Sequence, residues 1–292
     1  MAGIIALCDF NENNAPEKLI YNTFKAMQLL QHRGKAYWKI NSGKFEIEGA
    51  GSLPSFGVIW DRIKKKEKEI TNVTIGYLSK KKPNSKKKQT GIRFSSDGFF
   101  FDIDKLSIHP LIKNKKNIDP LHQVYFIFRE LLITRKDPYK TAEFLDRHLR
   151  GNFVAGINNK ILVFRNSTGF KPMFIGESKQ EKYFVTISEN YVENFFNDLK
   201  MREINPGELI SIDSKDGIIK IAQLDRNRIL MDPFEFIRES HVSSIFNNKS
   251  IYSIRKNIGR AQAEFLLNKN IDTDTIFAEP DYTRPMALGF NR

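Results

Sequence analysis

The chain has 292 residues, of which 40% are hydrophobic and 28% are charged, a composition that is typical of a globular protein and excludes disorder of the whole chain. The single cysteine, Cys8, excludes an internal disulfide and a zinc site built from cysteines, and it favours a cytoplasmic protein. No run of about 18 apolar residues occurs, so we expect no membrane-spanning segment and no membrane association.

The net charge of +13 is concentrated in one segment. Residues 61–93 contain twelve basic and three acidic residues, and most of the lysines form two clusters, at 64–68 and at 80–88. A basic patch attracts phosphates and acidic partners. Few aromatic residues lie among these lysines to stack on bases, so the pattern favours a solvated loop over a nucleic-acid site.

The first half of the chain predicts a strand, a helix and then short strands. Small and β-branched residues at positions 2–8 predict a buried strand. Apolar residues at helical spacing predict a helix over residues 16–31, which Gly34 is expected to end. Short strands are predicted between residues 37 and 75, a loop at 80–89, and a strand at 99–103.

The second half predicts two helices, at 120–134 and 141–149, and then a series of hairpins. The predicted strands of these hairpins are 153–157, 161–165, 173–176, 183–188, 209–211 and 218–223. An amphipathic helix is predicted at 254–267. This order favours an α+β fold in which two stacked sheets are flanked by helices, a four-layer αββα sandwich.

Several segments resemble one family, the glutamine phosphoribosylpyrophosphate amidotransferases (amidophosphoribosyltransferases), in the right order. The chain opens with Met-Ala-Gly-Ile where the family has Met-Cys-Gly-Ile, and residues 30–34 (LQHRG) match a helix end of the family. Further similar segments are residues 169–173 (GFKPM), 188–190 (SEN), 206–208 (PGE), 234–238 (FEFIR) and 250–255 (SIYSIR).

This resemblance implies two domains. Residues 2–230 are expected to form a degenerate class II glutamine amidotransferase-like domain with the fold of N-terminal nucleophile hydrolases. Residues 231–292 are expected to hold linker helices and the truncated beginning of a phosphoribosyltransferase-like domain, with a strand near residues 276–281.

The resemblance also implies that the residues for glutamine hydrolysis are missing. In the family, a cysteine behind the initiator methionine attacks the amide, and here Ala2 occupies that position. The arginine that binds the glutamine carboxylate corresponds to Ser79, and no Asn-Gly pair for an oxyanion hole is found at residues 101–104, where Asp102 and Asp104 lie. Cys8 is interpreted as a small buried residue and His32 as a structural one, and no catalytic residue, metal or cofactor is predicted.

We therefore predict a catalytically inactive amidophosphoribosyltransferase-like protein that binds or regulates an active amidotransferase of purine biosynthesis. It would form a homo-oligomer, or a hetero-oligomer with that active enzyme. One alternative is an active subunit that another chain completes. A second, less favoured alternative is a polyanion or nucleic-acid binder that uses the lysines of the 80–88 loop, which are Lys80, Lys81, Lys82, Lys86, Lys87 and Lys88.

Overall fold

The computed structural model describes residues 2–11, 16–81, 93–100, 120–157, 159–225, 228–279 and 281–291. The chain divides into two compact units. Unit 1 comprises residues 1–188 and 192–230, and unit 2 comprises residues 189–191 and 231–292. Within the described residues, no helix combines the length and the apolar character that crossing a bilayer requires.

The described residues of unit 1 form two antiparallel sheets and four α-helices. Its strands are β1 (Ala2–Asp9), β2 (Tyr37–Ser42), β3 (Phe45–Ala50), β4 (Val73–Ser79), β5 (Arg93–Phe100), β6 (Leu149–Ile157), β7 (Lys160–Arg165), β8 (Phe174–Ser178), β9 (Tyr183–Ile187), β10 (Lys200–Glu203), β11 (Glu208–Asp213) and β12 (Gly217–Gln223). Its helices are α1 (Pro16–Leu29), α2 (Phe56–Lys65), α3 (Pro120–Arg129) and α4 (Pro138–His148).

The first sheet has the strand order β10-β8-β9-β1-β4-β2-β3, and the second has the order β12-β11-β7-β6-β5. One buried cluster joins β1 and β4 of the first sheet to β6, β7 and β11 of the second, so it forms the core between the sheets. A second cluster joins α3 and α4 to the second sheet, and α1 packs on β1 and β4. The predicted four-layer αββα sandwich is confirmed.

Helix α1 lies between β1 and the segment of residues 30–34 (LQHRG). It runs from Pro16 to Leu29, and a 3₁₀ turn over Leu30–Arg33 follows it. Gly34 ends this turn with extended backbone (φ −170°), so its role is not the left-handed conformation that often ends a helix. Instead, a Cβ at position 34 would overlap the backbone of Ser79, so glycine permits the close approach of these two segments.

Helix α2 was not predicted, because residues 56–65 lie inside the region assigned to short strands. Ile59 and Ile63 are four residues apart and buried on one face of this helix. The ring of Phe56 contacts the rings of Tyr21 and Phe24 at centroid distances of 5.0 and 5.2 Å, which fixes α2 against α1. These contacts stabilise the helical conformation of residues 56–65, whose sequence pattern alone does not distinguish a helix from a strand.

Unit 2 contains a short hairpin and two helices. They are β13 (Ile245–Phe246), β14 (Lys249–Ser250), α5 (Ile251–Asn268) and α6 (Arg284–Phe290). Asn247 and Asn248 both have positive φ, as a two-residue hairpin turn requires, and the Ser250 hydroxyl accepts a hydrogen bond from the Ser253 N–H at the start of α5. The strand that was predicted near residues 276–281 is wrong, because residues 276–279 are not in a strand and the next element is α6.

Candidate functional site

The amino end of β1 lies in the core between the two sheets. Ala2 is 2% exposed, and its methyl group belongs to the same buried cluster as Ile4, Val154 and Met173. Ala2 pairs with Ser79 at the end of β4. The first residue of the strand is therefore surrounded by packed side chains.

A buried ion pair holds this end of β1. The backbone N–H of Ala2 donates to Asp97 Oδ1 over 2.8 Å, and the Ala2 carbonyl accepts from Arg33 Nε over 2.9 Å. Arg33 Nη2 donates to Asp97 Oδ2 over 2.8 Å, and both of these side chains are 0% exposed. Hydrogen bonds between ionised groups in a buried environment are strong, so the three residues form one connected network.

Two close backbone approaches place the charged partners. The 3₁₀ turn after α1 brings Arg33 to β1, and Gly34 lets that turn lie against Ser79. Asp97 lies on β5, where it is followed by Gly98, which pairs with Gly151 of β6. Both glycines have φ near +145° (142° and 145°), and a Cβ on either would overlap the opposite strand. The paired glycines therefore let β5 and β6 approach closely beside Asp97.

The structure brings Asp97 to the amino end of β1. Asp102 and Asp104 lie outside the described residues. The pair Asp97-Gly98 was not predicted from the sequence, although an acid-glycine pair just before the predicted strand at 99–103 was a usable signal. Its carboxylate accepts the N–H of Ala2 and, as an acceptor, cannot donate a hydrogen bond to an anion.

Ser79 is close to Ala2 but is engaged elsewhere. Its Oγ donates to the carbonyl of Lys81 over 2.6 Å and accepts from the N–H of Lys81 over 3.1 Å. Burial raises the pKa of the neighbouring Tyr77, the hydrogen bond with Ser79 lowers it, and Asp97 raises it, so that the pKa lies above the usual value of a tyrosine. A serine hydroxyl in this arrangement offers no positive charge to a carboxylate.

The environments of Cys8 and His32 are those of residues that support the fold. Cys8 is 0% exposed, and burial, together with the charges of Asp213 and Asp9, raises the pKa of its thiol to about 12. His32 Nδ1 lies 3.1 Å from the carbonyl oxygen of Leu29, within the 3₁₀ turn. Among the described residues, no group of three or more His, Cys, Asp or Glu side chains is placed to hold a metal ion.

The lysines of the predicted polyanion site are only partly described. Lys80 and Lys81 are exposed at the end of β4, and Lys82, Lys86, Lys87 and Lys88 lie outside the described residues. The N–H of Ala36 donates to the carbonyl of Ser79 over 3.0 Å, which brings the exposed Lys35 to the same end of β4. The sequence analysis did not include Lys35 in this cluster.

Comparisons with known proteins agree with the motif resemblance. No family model matches the chain. The chain is 24% identical to the amidophosphoribosyltransferase of Methanocaldococcus jannaschii, over 100% of its own length and 66% of the relative. It is 27% identical to the amidophosphoribosyltransferase of Synechocystis over 48% of its own length and 28% of the relative.

The solved structures show the same fold. The glutamine phosphoribosylpyrophosphate amidotransferase of B. subtilis, complexed with ADP and GMP, has a TM-score of 0.73 and 18% identity, and the match covers 99% of this chain and 63% of that one. A structure described as the allosteric regulatory enzyme of purine biosynthesis gives the same TM-score and covers 62% of its chain. The chain thus spans about two thirds of these longer proteins. The chain is similar to the amidophosphoribosyltransferases, and it has the αββα fold of the N-terminal nucleophile hydrolase type that their solved structures show.

Proposed function

We propose that this chain is a catalytically silent relative of amidophosphoribosyltransferase and that it acts by binding an active amidotransferase of purine biosynthesis. The observation that carries the proposal is the state of the amino end of β1. A methyl group stands where a nucleophile is required, and the Asp97 carboxylate lies beside it. Attack on an amide carbonyl creates negative charge on the oxygen, which a carboxylate repels and does not stabilise.

The loss is distributed over three functions. Ala2 removes the nucleophile, Asp97 opposes the developing charge, and Ser79 cannot form the paired hydrogen bonds that an arginine gives to a carboxylate. Removal of one oxyanion donor alone lowers the rate by about 100- to 1000-fold. The three changes together support a protein without glutamine hydrolysis.

The turn at residues 206–208, which resembles the family in sequence, favours a role for the chain as a binding scaffold. At the turn of residues 206–208, whose sequence resembles the family, Gly207 has φ 84° and its N–H donates to the carbonyl of Arg165. Glu208 Oε2 accepts from the N–H of Asn205 over 2.7 Å. A fold that is maintained while the reacting groups are absent supports a role through association.

Co-purification tests the binding role. The chain carries an affinity tag at its C-terminus, because Ala2 is buried, and is isolated from its native cell under mild conditions. We expect a complex that contains an active amidotransferase, identified by its glutamine-dependent activity. An assembly of identical chains without an active amidotransferase would show a homo-oligomer but would contradict the proposed partner. Recovery of the chain only as a monomer contradicts the proposal altogether.

A second candidate function, polyanion binding, is favoured by the position of Lys35. Three exposed lysines, Lys35, Lys80 and Lys81, gather at the end of β4, and point charges of this kind attract phosphate groups in a salt-dependent way. Binding of a labelled oligonucleotide at about 50 mM salt would be lost when these three lysines become serine. A matched variant in which Lys64, Lys65 and Lys66 become serine would keep it. No binding by the native chain rejects this candidate.

A further inference from the structure

Residues 231–239 of unit 2 have their acids inside and their apolar side chains outside. The acids are buried, and they are Asp232 (5% exposed), Glu235 (1%) and Glu239 (6%). Met231, Phe234 and Ile237, each three residues from the next, are 42%, 57% and 39% exposed. A helical segment at the surface of a globular protein has the opposite arrangement. We call the three exposed apolar side chains the outer face.

Contacts on the inner side fix this orientation. Glu235 Oε2 accepts from the Ser240 hydroxyl over 2.9 Å. The buried guanidinium of Arg255 donates to the carbonyls of Phe236 and Ser240 over 2.7 and 2.8 Å. The ring of Phe236 contacts the ring of Phe246 at a centroid distance of 6.0 Å. Because buried polar groups need such partners, the segment is held with its acids inward, and its apolar side chains are left outside.

The outer face has a positive edge. Arg238 is exposed and lies one helical turn from Phe234. Its guanidinium lies 5.8 Å from the centroid of the Tyr282 ring, a cation–π contact that orients the group and leaves its charge in place. Aromatic residues, methionine and arginine are the residues that protein interfaces favour. An apolar face with a cationic edge fits a partner surface that is apolar at its centre and carries carboxylates at its edge.

We propose that the outer face, with Arg238 at its edge, binds the active amidotransferase through an apolar patch that is edged by carboxylates on that partner. The inference rests on the proposed function, which supplies the identity of the partner. A second copy of this chain fits less well, because two copies joined through this same face would bring two Arg238 guanidinium groups into one contact. Phe234 is the largest and most exposed of the three side chains, so it carries most of the affinity.

Substitutions at exposed positions test the face without changing the core. The affinity of the complete chain for the co-purified amidotransferase is measured at about 150 mM salt. Phe234→Asp should weaken binding at least about 30-fold, because it places a carboxylate against an apolar surface with an acidic edge. Arg238→Glu should slow association, and the slowing should diminish at high salt. Both variants should unfold at the temperature of the native chain, and Phe234→Ala replaces Phe234→Asp if the latter does not.

Phe265→Asp is the matched control. Phe265 is 60% exposed on α5 of the same unit. It lies about 15 Å along that helix from Arg255, the residue that contacts the segment of the outer face. This variant should bind the amidotransferase as tightly as the native chain does.

The outcomes distinguish this inference from the proposed function. If the native chain captures no active amidotransferase, the proposed function fails, and the role of the outer face fails with it. If the native chain and Phe234→Asp capture the enzyme equally, the binding role stands and this inference alone is overturned. Self-association that is lost in Phe234→Asp, with capture of the enzyme unchanged, would assign the face to a second copy and would also overturn the inference.

Discussion

Arg33 and Asp97 give the amino end of β1 its particular character. Neither side chain is exposed, and each is bonded both to the other and to the backbone of Ala2. A buried ion pair contributes little over an apolar pair of the same shape, but loss of one partner leaves an uncompensated charge in the core. The pair is therefore sensitive to single substitutions.

Arg33→Ala should lower the free energy of unfolding by about 3–5 kcal/mol, because it leaves the Asp97 carboxylate buried without its partner. The double variant Arg33→Ala with Asp97→Ala should lose less than the sum of the two single variants. Denaturant unfolding measures all three. The control is Lys39→Ala, which breaks the partly exposed pair between Lys39 and Glu46 and should cost about 0–1 kcal/mol. Similar losses for Arg33→Ala and Lys39→Ala would contradict the account.

Cys8 should be inert in the folded protein. With a pKa of about 12, the thiolate fraction at pH ~8 is about 10⁻⁴, and the side chain is buried as well. A thiol reagent should label the chain fully in denaturant and hardly at all in buffer, as intact mass would record. Rapid labelling of the folded chain would refute the interpretation of Cys8 as a packing residue.

At the residue scale, the motifs identify the positions of Ala2 and Ser79 but not the side chains that surround them. Ala2 and Ser79 could be assigned because each is adjacent to a recognisable motif. Asp97 could not, because its contact with Ala2 spans 95 positions of sequence and depends on how two sheets stack.

Among the elements, α5 and α6 show most clearly how a glycine decides packing. A Cβ at Gly259 would overlap the carbonyl of Met286, and a Cβ at Gly289 would overlap the carbonyl of Lys256. Each helix thus packs its glycine against the backbone of the other. This close approach is the reason for glycine within a helix, where it is otherwise unfavourable.

Gly259→Ala should destabilise unit 2, although helix propensity alone favours the alanine by about 1 kcal/mol. Hydrogen exchange of the α6 amides should become faster, because the two helices are forced apart. Gln262→Ala, at an exposed position of the same helix, should leave exchange unchanged. Slower exchange in Gly259→Ala would mean that the helices do not approach as described.

The turn between β11 and β12 makes a pH-dependent contribution to the free energy of unfolding through Asp213. Burial raises the pKa of Asp213, but the hydrogen bonds from Lys160 and from the N–H groups of Lys215 and Asp216 lower it more, to about 2 from 3.8. A lowered pKa stabilises the fold above the unfolded value, and this stabilisation is lost as the pH falls from 3.8 towards 2.

Asp213→Asn should therefore lower the unfolding temperature near neutral pH. The further decrease in unfolding temperature between pH 3.8 and about 2 should be smaller in this variant than in the native chain. Thermal unfolding across the range measures both effects. Asp216→Asn removes a carboxylate that contacts the same lysine at 3.2 Å but is 56% exposed, so its effect should be smaller. An unchanged acid profile in Asp213→Asn would contradict the assignment.

For the molecule as a whole, pattern and motif order predicted the αββα sandwich because many of its strands are short apolar segments, buried along most of their length, and its hairpins are short. They failed where an element depends on distant contacts. Helix α2 is fixed by ring contacts with α1, and β10 is an edge strand of four residues, too short to give a recognisable pattern. The strand expected near 276–281 has a suitable composition, but no strand partner for it occurs among the described residues.

The whole account depends on the chemistry that is missing at Ala2, and glutamine turnover tests this most directly. The purified chain, alone and together with any partner that co-purifies, is supplied with saturating glutamine, and glutamate release is compared with a sample without protein. The account predicts no release by the chain alone, and release by the complex only at the rate of the isolated partner. Glutamate formed by the pure chain above the background would contradict it.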